Sequence, residues 1–90
     1  MNSNDWRVRV FPDPVVNKLS VYVTQETAGK VRLELWDMGG RPVLKKEVMA
    51  AGGETELGWS DVRQTGVVAG VYILRVVSSS GTVMRKVVVL

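Results

Sequence analysis

Apolar and polar residues alternate at intervals of two along most of this chain, the spacing of strands that bury one face. Trp6, Val8 and Val10 interleave with Arg7 and Arg9, and Pro12-Asp13-Pro14 removes two backbone donors, ending that strand near Phe11. Leu19, Val21 and Val23 alternate with Ser20, Tyr22 and Thr24, and Val31, Leu33 and Leu35 alternate with Arg32, Glu34 and Trp36. These runs predict two half-buried antiparallel strands. Asp37-Met38-Gly39-Gly40 predicts a turn, because Asp accepts backbone N–H groups and glycine tolerates positive φ. The next strand starts near Arg41 and covers 42–49 in a less regular pattern.

Gly52-Gly53 marks a further reversal, after which Thr55, Leu57 and Trp59 face inward while Glu54 and Glu56 face water. A long loop follows. Tyr72, Leu74 and Val76 form the inward set of a strand over 71–77, and Ser78-Ser79-Ser80-Gly81 makes a hairpin turn into a last strand over 82–90. No stretch of ten or more residues carries apolar positions at helical spacing. The expected fold is all-β: a seven-stranded antiparallel immunoglobulin-like β-sandwich, one domain over 1–90, without the cysteine pair of antibody domains.

Composition narrows the chemistry. With no cysteine and no histidine, thiolate nucleophiles, Ser-His-Asp arrangements and the usual zinc motifs are excluded. No cofactor is expected. Twelve basic residues against nine acidic ones give a net charge of +3, but the basic residues are scattered, so nucleic acid is not an expected partner. Met1 to Trp6 contains neither a basic leader with an apolar stretch nor a membrane span, so an export address would lie upstream, as in a C-terminal piece of a longer precursor.

Few side chains suggest a site by themselves. Trp36, on a polar face with Tyr22, is the best candidate for stacking a sugar ring, although large aromatics in small sandwiches mostly belong to the core. Asp13, Asp37 and Asp61 lack the spacing of a calcium loop and read as turn formers. Glu54 and Glu56 share a strand face but imply no pocket, so they read as a solvated acidic edge rather than an acid–base pair.

Four motifs in order carry a resemblance. Phe11-Pro12-Asp13-Pro14 with Leu19-Ser20-Val21, then Leu35-Trp36-Asp37-Met38-Gly39-Gly40-Arg41, then Gly70-Val71-Tyr72-Ile73-Leu74, and finally Met84-Arg85-Lys86-Val87-Val88-Val89-Leu90 together resemble the C-terminal sorting domain of the type IX secretion system. Asp13 stands where that family usually has Asn, and Trp36 where Tyr is more usual. The segment 58–69 is longer than in many such domains, and its Trp59-Ser60-Asp61 is similar to the immunoglobulin-like repeat of flagellar hook-assembly proteins, a structural or adhesive module.

The sorting resemblance implies a non-catalytic domain of a Gram-negative bacterium that directs an upstream cargo across the outer membrane, from the periplasm to the cell surface or the medium. It implies translocon components as partners, after which the domain is either removed by a sortase-like peptidase or retained. Arg85, Lys86, Val87, Val88, Val89 and Leu90 are the expected recognition residues, since a terminal strand can lie at a sheet edge, pair with a partner or join two copies. Pro12, Asp13, Pro14, Asp37, Gly40, Arg41, Gly70 and Tyr72 are expected as motif and turn residues.

Overall fold

Period-two runs rich in valine need a pleated surface buried on one side, and seven of them form strands here. The computed structural model describes residues 6–11 and 14–90. Its strands are β1 (Arg7–Phe11), β2 (Leu19–Gln25), β3 (Gly29–Asp37), β4 (Pro42–Ala50), β5 (Gly53–Trp59), β6 (Gly70–Ser78) and β7 (Gly81–Val89), with one short 3-10 turn at Arg63–Thr65. They form two sheets, ordered β1-β2-β5 and β4-β3-β6-β7, and every neighbouring pair is antiparallel. The seven-stranded antiparallel sandwich is therefore as the periodicity predicts. Gly52-Gly53 does more than reverse the chain, because β4 and β5 lie in different sheets.

The inward alternation matches the packing. Leu19, Val21 and Val23 of β2 face Val31, Leu33 and Leu35 of β3 and Tyr72, Leu74 and Val76 of β6, all buried in one cluster that also takes in Val8, Val87 and Val89. At roughly 1.5–3 kcal/mol for each fully buried aliphatic side chain, this cluster is the main source of stability. The loop over 60–69 also contributes: Val62 and Val67 are buried in the core. It is fastened by Val62 N–H to the Asn17 carbonyl at 2.7 Å and Arg63 N–H to Asn17 Oδ1 at 3.0 Å.

Three places depart from simple alternation. Three strands laid on four leave the rims of the larger sheet partly uncovered, so β4 carries Lys46 opposite Leu33 and β7 carries Arg85 opposite Leu74 on inward-facing positions. This explains why the 42–49 pattern is irregular. Ser20 and Glu34, expected on solvated faces, are buried, and Gln25 extends β2 with its amide donating 3.2 Å to the Ala50 carbonyl. Trp59, expected inward, is only half-buried: it packs on the core edge beneath the Lys46 ammonium, 5.6 Å from the ring centre.

Gly58 marks the closest approach of β5 to β2. Its φ is +109°, and a Cβ there would overlap the Leu19 carbonyl oxygen. Gly58→Ala is expected to lower the unfolding free energy by about 2–4 kcal/mol, since both a left-handed backbone and a backbone clash oppose it. Gly29→Ala, with nothing within 4 Å of the added carbon, serves as control. Equal denaturation midpoints for the two variants would contradict this account of the β2–β5 contact.

Candidate functional site

β7 pairs with β6 alone along its length, which makes it an edge strand of the larger sheet. The two-residue hairpin puts Ser78 opposite Gly81, and in an antiparallel ladder the backbone groups of alternate residues then point toward and away from the partner. Val88 and Leu90 point away, since the Val15 N–H donates 2.8 Å to the Val88 carbonyl and the Leu90 N–H donates 2.9 Å to the Val15 carbonyl. By the same parity the backbone groups of Thr82, Met84 and Lys86 face outward too, beyond the reach of the Val15 clamp.

The six expected recognition residues therefore fall into two sets. Val87 and Val89 are 2 % exposed and complete the core; Val88 is half-buried, its carbonyl held by Val15. Arg85 and Lys86 are exposed on the open stretch, and Leu90 is exposed beyond the strand. The Arg85 guanidinium donates 3.1 Å to the neighbouring Met84 carbonyl. Neither β1 nor β7 contains an acidic residue. Thr82, Met84 and Val15 belong to this edge but are not among the expected recognition residues, although the hairpin spacing encodes the parity.

The motif residues build turns. Asp37 Oδ1 accepts the Gly39 and Arg41 N–H groups at 2.9 Å each, Gly40 adopts φ +86°, and Arg41 Nε lies 3.7 Å from the Asp37 carboxylate. Tyr72 is buried and its hydroxyl donates 2.7 Å to the Val68 carbonyl four residues upstream, while its ring lies against Gly70. This is a tyrosine corner, which fixes the approach to β6. Pro14 is exposed and directly precedes the buried Val15. Pro12 and Asp13 lie outside the described residues.

Trp36 and Tyr22 do lie on outward faces, but of opposite sheets, so they form no common platform. On the outer face of the larger sheet, Trp36, Met38, Ile73 and Met84 line an apolar groove of about 380 Å³. Trp36 is held there by its indole N–H, which donates 3.1 Å to Glu34 Oε1. Arg75 donates 3.1 Å to the same oxygen, and Arg32 stands 3.6 Å from the other. Burial alone would raise the Glu34 pKa, but the Trp36 and Arg75 hydrogen bonds and the charges of Arg75 and Arg32 outweigh it, and the net shift is downward.

The other carboxylates are engaged locally. Glu54 pairs with Arg9, and Glu56 accepts from the Ser20 hydroxyl at 3.0 Å with Lys18 at 3.4 Å, which lowers its pKa. Asp61 accepts the Gln64 N–H at 3.3 Å, a turn-forming role like that of Asp37.

The family described as the secretion system C-terminal sorting domain matches residues 9–90, which includes the long loop over 60–69. No curated protein matches. Among solved structures, the crystal structure of dimeric latent PorU from Porphyromonas gingivalis superimposes with a TM-score of 0.74 at 24% identity. The match covers all of this chain but 10% of that one, and it establishes a shared fold.

Glu34 generates a pH prediction. Its folded pKa lies below its ordinary value of 4.5, so its stabilising contribution is complete above that value and is lost as the pH falls through the folded pKa. The unfolding free energy should be level near neutrality and fall below about pH 4.5. Glu34→Gln should flatten that acid slope without abolishing it, because Glu56 is shifted the same way. Urea titrations between pH 7 and pH 3 read the difference; identical slopes would show that Glu34 carries none of it.

Proposed function

Because this chain belongs to the secretion system C-terminal sorting domains, we propose that its signal is the open edge of β7, read by the export machinery as backbone and charge. The domain serves the type IX secretion system and marks a secreted or cell-surface protein. Its cargo lies upstream. In our reading the folded sandwich crosses from the periplasm through the outer-membrane translocon, is then removed by a sortase-like peptidase, and performs no chemistry of its own.

One observation carries this reading: on β7, Val15 occupies the backbone of Val88 and Leu90 but leaves the outward groups of Thr82, Met84 and Lys86 free of that clamp. An edge of this kind is a template for a partner strand, with main-chain hydrogen bonds supplying affinity. Arg85 and Lys86 add positive charge beside it. The recognition set thus shifts from 85–90 to the open stretch from Thr82 to Lys86, with Val87 to Leu90 holding that stretch in place.

Deleting Arg85 to Leu90 would remove the buried Val87 and Val89 and so unfold the domain, whatever the edge does. Met84→Pro is cleaner, because the Met84 N–H points away from β6 and its loss costs no ladder bond. With residues 1–90 fused to a periplasmic reporter in a bacterium that has this secretion route, Met84→Pro should cut the exported fraction about tenfold or more. Its far-ultraviolet spectrum and thermal midpoint should stay close to those of the parent. Undiminished export of a folded Met84→Pro fusion would refute the edge as the signal.

A further inference from the structure

We infer that the partner of β7 is an antiparallel strand whose residues opposite Lys86, Arg85, Met84 and Val83 are, in chain order, acidic, acidic, apolar and apolar. This rests on the reading of β7 as the recognition edge and adds its specificity. The slot is short and bounded at both ends. Val15 blocks it from Val88 onward, and the turn between Ser78 and Gly81 closes the other end. A partner strand is thereby confined to one stretch of about five residues, where each position of β7 meets a defined opposite residue.

The side chains in that stretch differ sharply. Thr82, Met84 and Lys86 lie on the outer face, Met84 beside the apolar groove lined by Trp36 and Ile73. Val83 and Arg85 lie on the face turned toward the smaller sheet. Arg85 pairs with Leu74 of β6 through backbone bonds that point inward, so toward an added strand it occupies a non-hydrogen-bonded position, where opposing side chains come closest. A carboxylate there meets the guanidinium at short range; a basic residue there is repelled.

The far rim of the sheet shows why β7 is the receptive edge. β4 also carries an inward lysine, but Lys46 already donates to the Gly58 carbonyl and lies over the Trp59 ring. That charge is spent within the fold. Among the described residues the Arg85 guanidinium donates to the adjacent Met84 carbonyl, and β1 and β7, the strands on its side of the sandwich, contain no carboxylate. A second copy of the chain fits less well. Two-fold pairing centred on Met84 would set Ser79 of one copy where the Val15 clamp of the other lies, and would set Arg85 and Lys86 opposite Val83 and Thr82 of the other copy, which offer them no carboxylate.

Peptide probes test the order directly. Ten-residue peptides with the core Asp-Glu-Val-Ile, the reversed core Ile-Val-Glu-Asp, and Lys-Lys-Val-Ile, each with the same Thr and Gly flanks, are titrated into the 15N-labelled chain. The first should bind about tenfold or more tightly than the other two, with amide shifts concentrated from Thr82 to Lys86. In the double variant Arg85→Glu with Lys86→Glu, the preference should invert toward the Lys-Lys core, and an unchanged thermal midpoint confirms that the fold persists. Equal affinities for the three cores, shifts centred on another strand, or self-association that excludes all peptides would overturn the inference. Export that depends on Met84 alongside peptides that do not discriminate would remove only the code; export that ignores Met84→Pro removes the edge itself.

Discussion

Two hydrogen bonds at one corner close this sandwich. Val15 sits between β1 and β2 of the smaller sheet, yet its N–H and carbonyl bond to Val88 and Leu90 at the end of β7 in the larger one. Its side chain is fully buried, packed in the same cluster as Val87 and Val89. The segment thus links the two sheets by backbone hydrogen bonds, and it fixes where the last edge is covered. Without it the outward backbone groups would be open along the whole of β7, from Thr82 through Val88, a long edge of the kind that proteins avoid because it invites aggregation. With it, the exposed template is short and has a defined start.

The charges around the fold are arranged on the same principle. On the outer face of the larger sheet, Arg75, Glu34, Arg32, Glu47 and Lys30 form one chain of ion pairs, anchored by the buried Glu34 carboxylate. Glu34 is worth more than an exposed pair because removing either side leaves a buried charge or unpaired donors. It also fixes the orientation of Trp36, so that the neighbouring groove is lined by an aromatic held in place. On the outer face of the smaller sheet Arg9, Glu54, Lys18 and Glu56 balance one another. Against these matched faces, the β7 edge stands out as basic.

Strand existence and facing were legible because valine and leucine at every second position admit only one assignment of faces. Leu19, Val21, Val23, Val31, Leu33, Leu35, Leu74 and Val76 are all buried as that rule requires. What alternation cannot show is which strand covers which. Ser20 and Glu34 obey the period yet are buried, because Glu56 and Trp36 from neighbouring positions fold over them. The irregular pattern of β4 reflects its place at a partly covered rim, a fact of sheet order that no local window contains. The Val15 clamp was invisible for the same reason: one valine after a proline has no period, and its partner lies more than seventy positions away.

The motif residues and the proposed signal turn out to be different parts of the molecule. Asp37, Gly40, Arg41, Gly70 and Tyr72 recur as sequence markers because each solves a backbone problem: an Asp-capped turn, a left-handed residue, a tyrosine corner. Asp37 and Tyr72 spend their side-chain bonds inside the fold, while Arg41 pairs with Asp37 from an exposed position. A partner can read only what the fold leaves over, and on β7 that is the outward backbone of Thr82, Met84 and Lys86, with only the Arg85 side chain on the Met84 carbonyl among the described residues, and two basic side chains. A signal of this kind exists only while the sandwich is folded, since an unfolded 82–86 segment has neither a fixed edge nor a fixed face. Turn residues far from β7 would then govern export indirectly, by holding that edge in register.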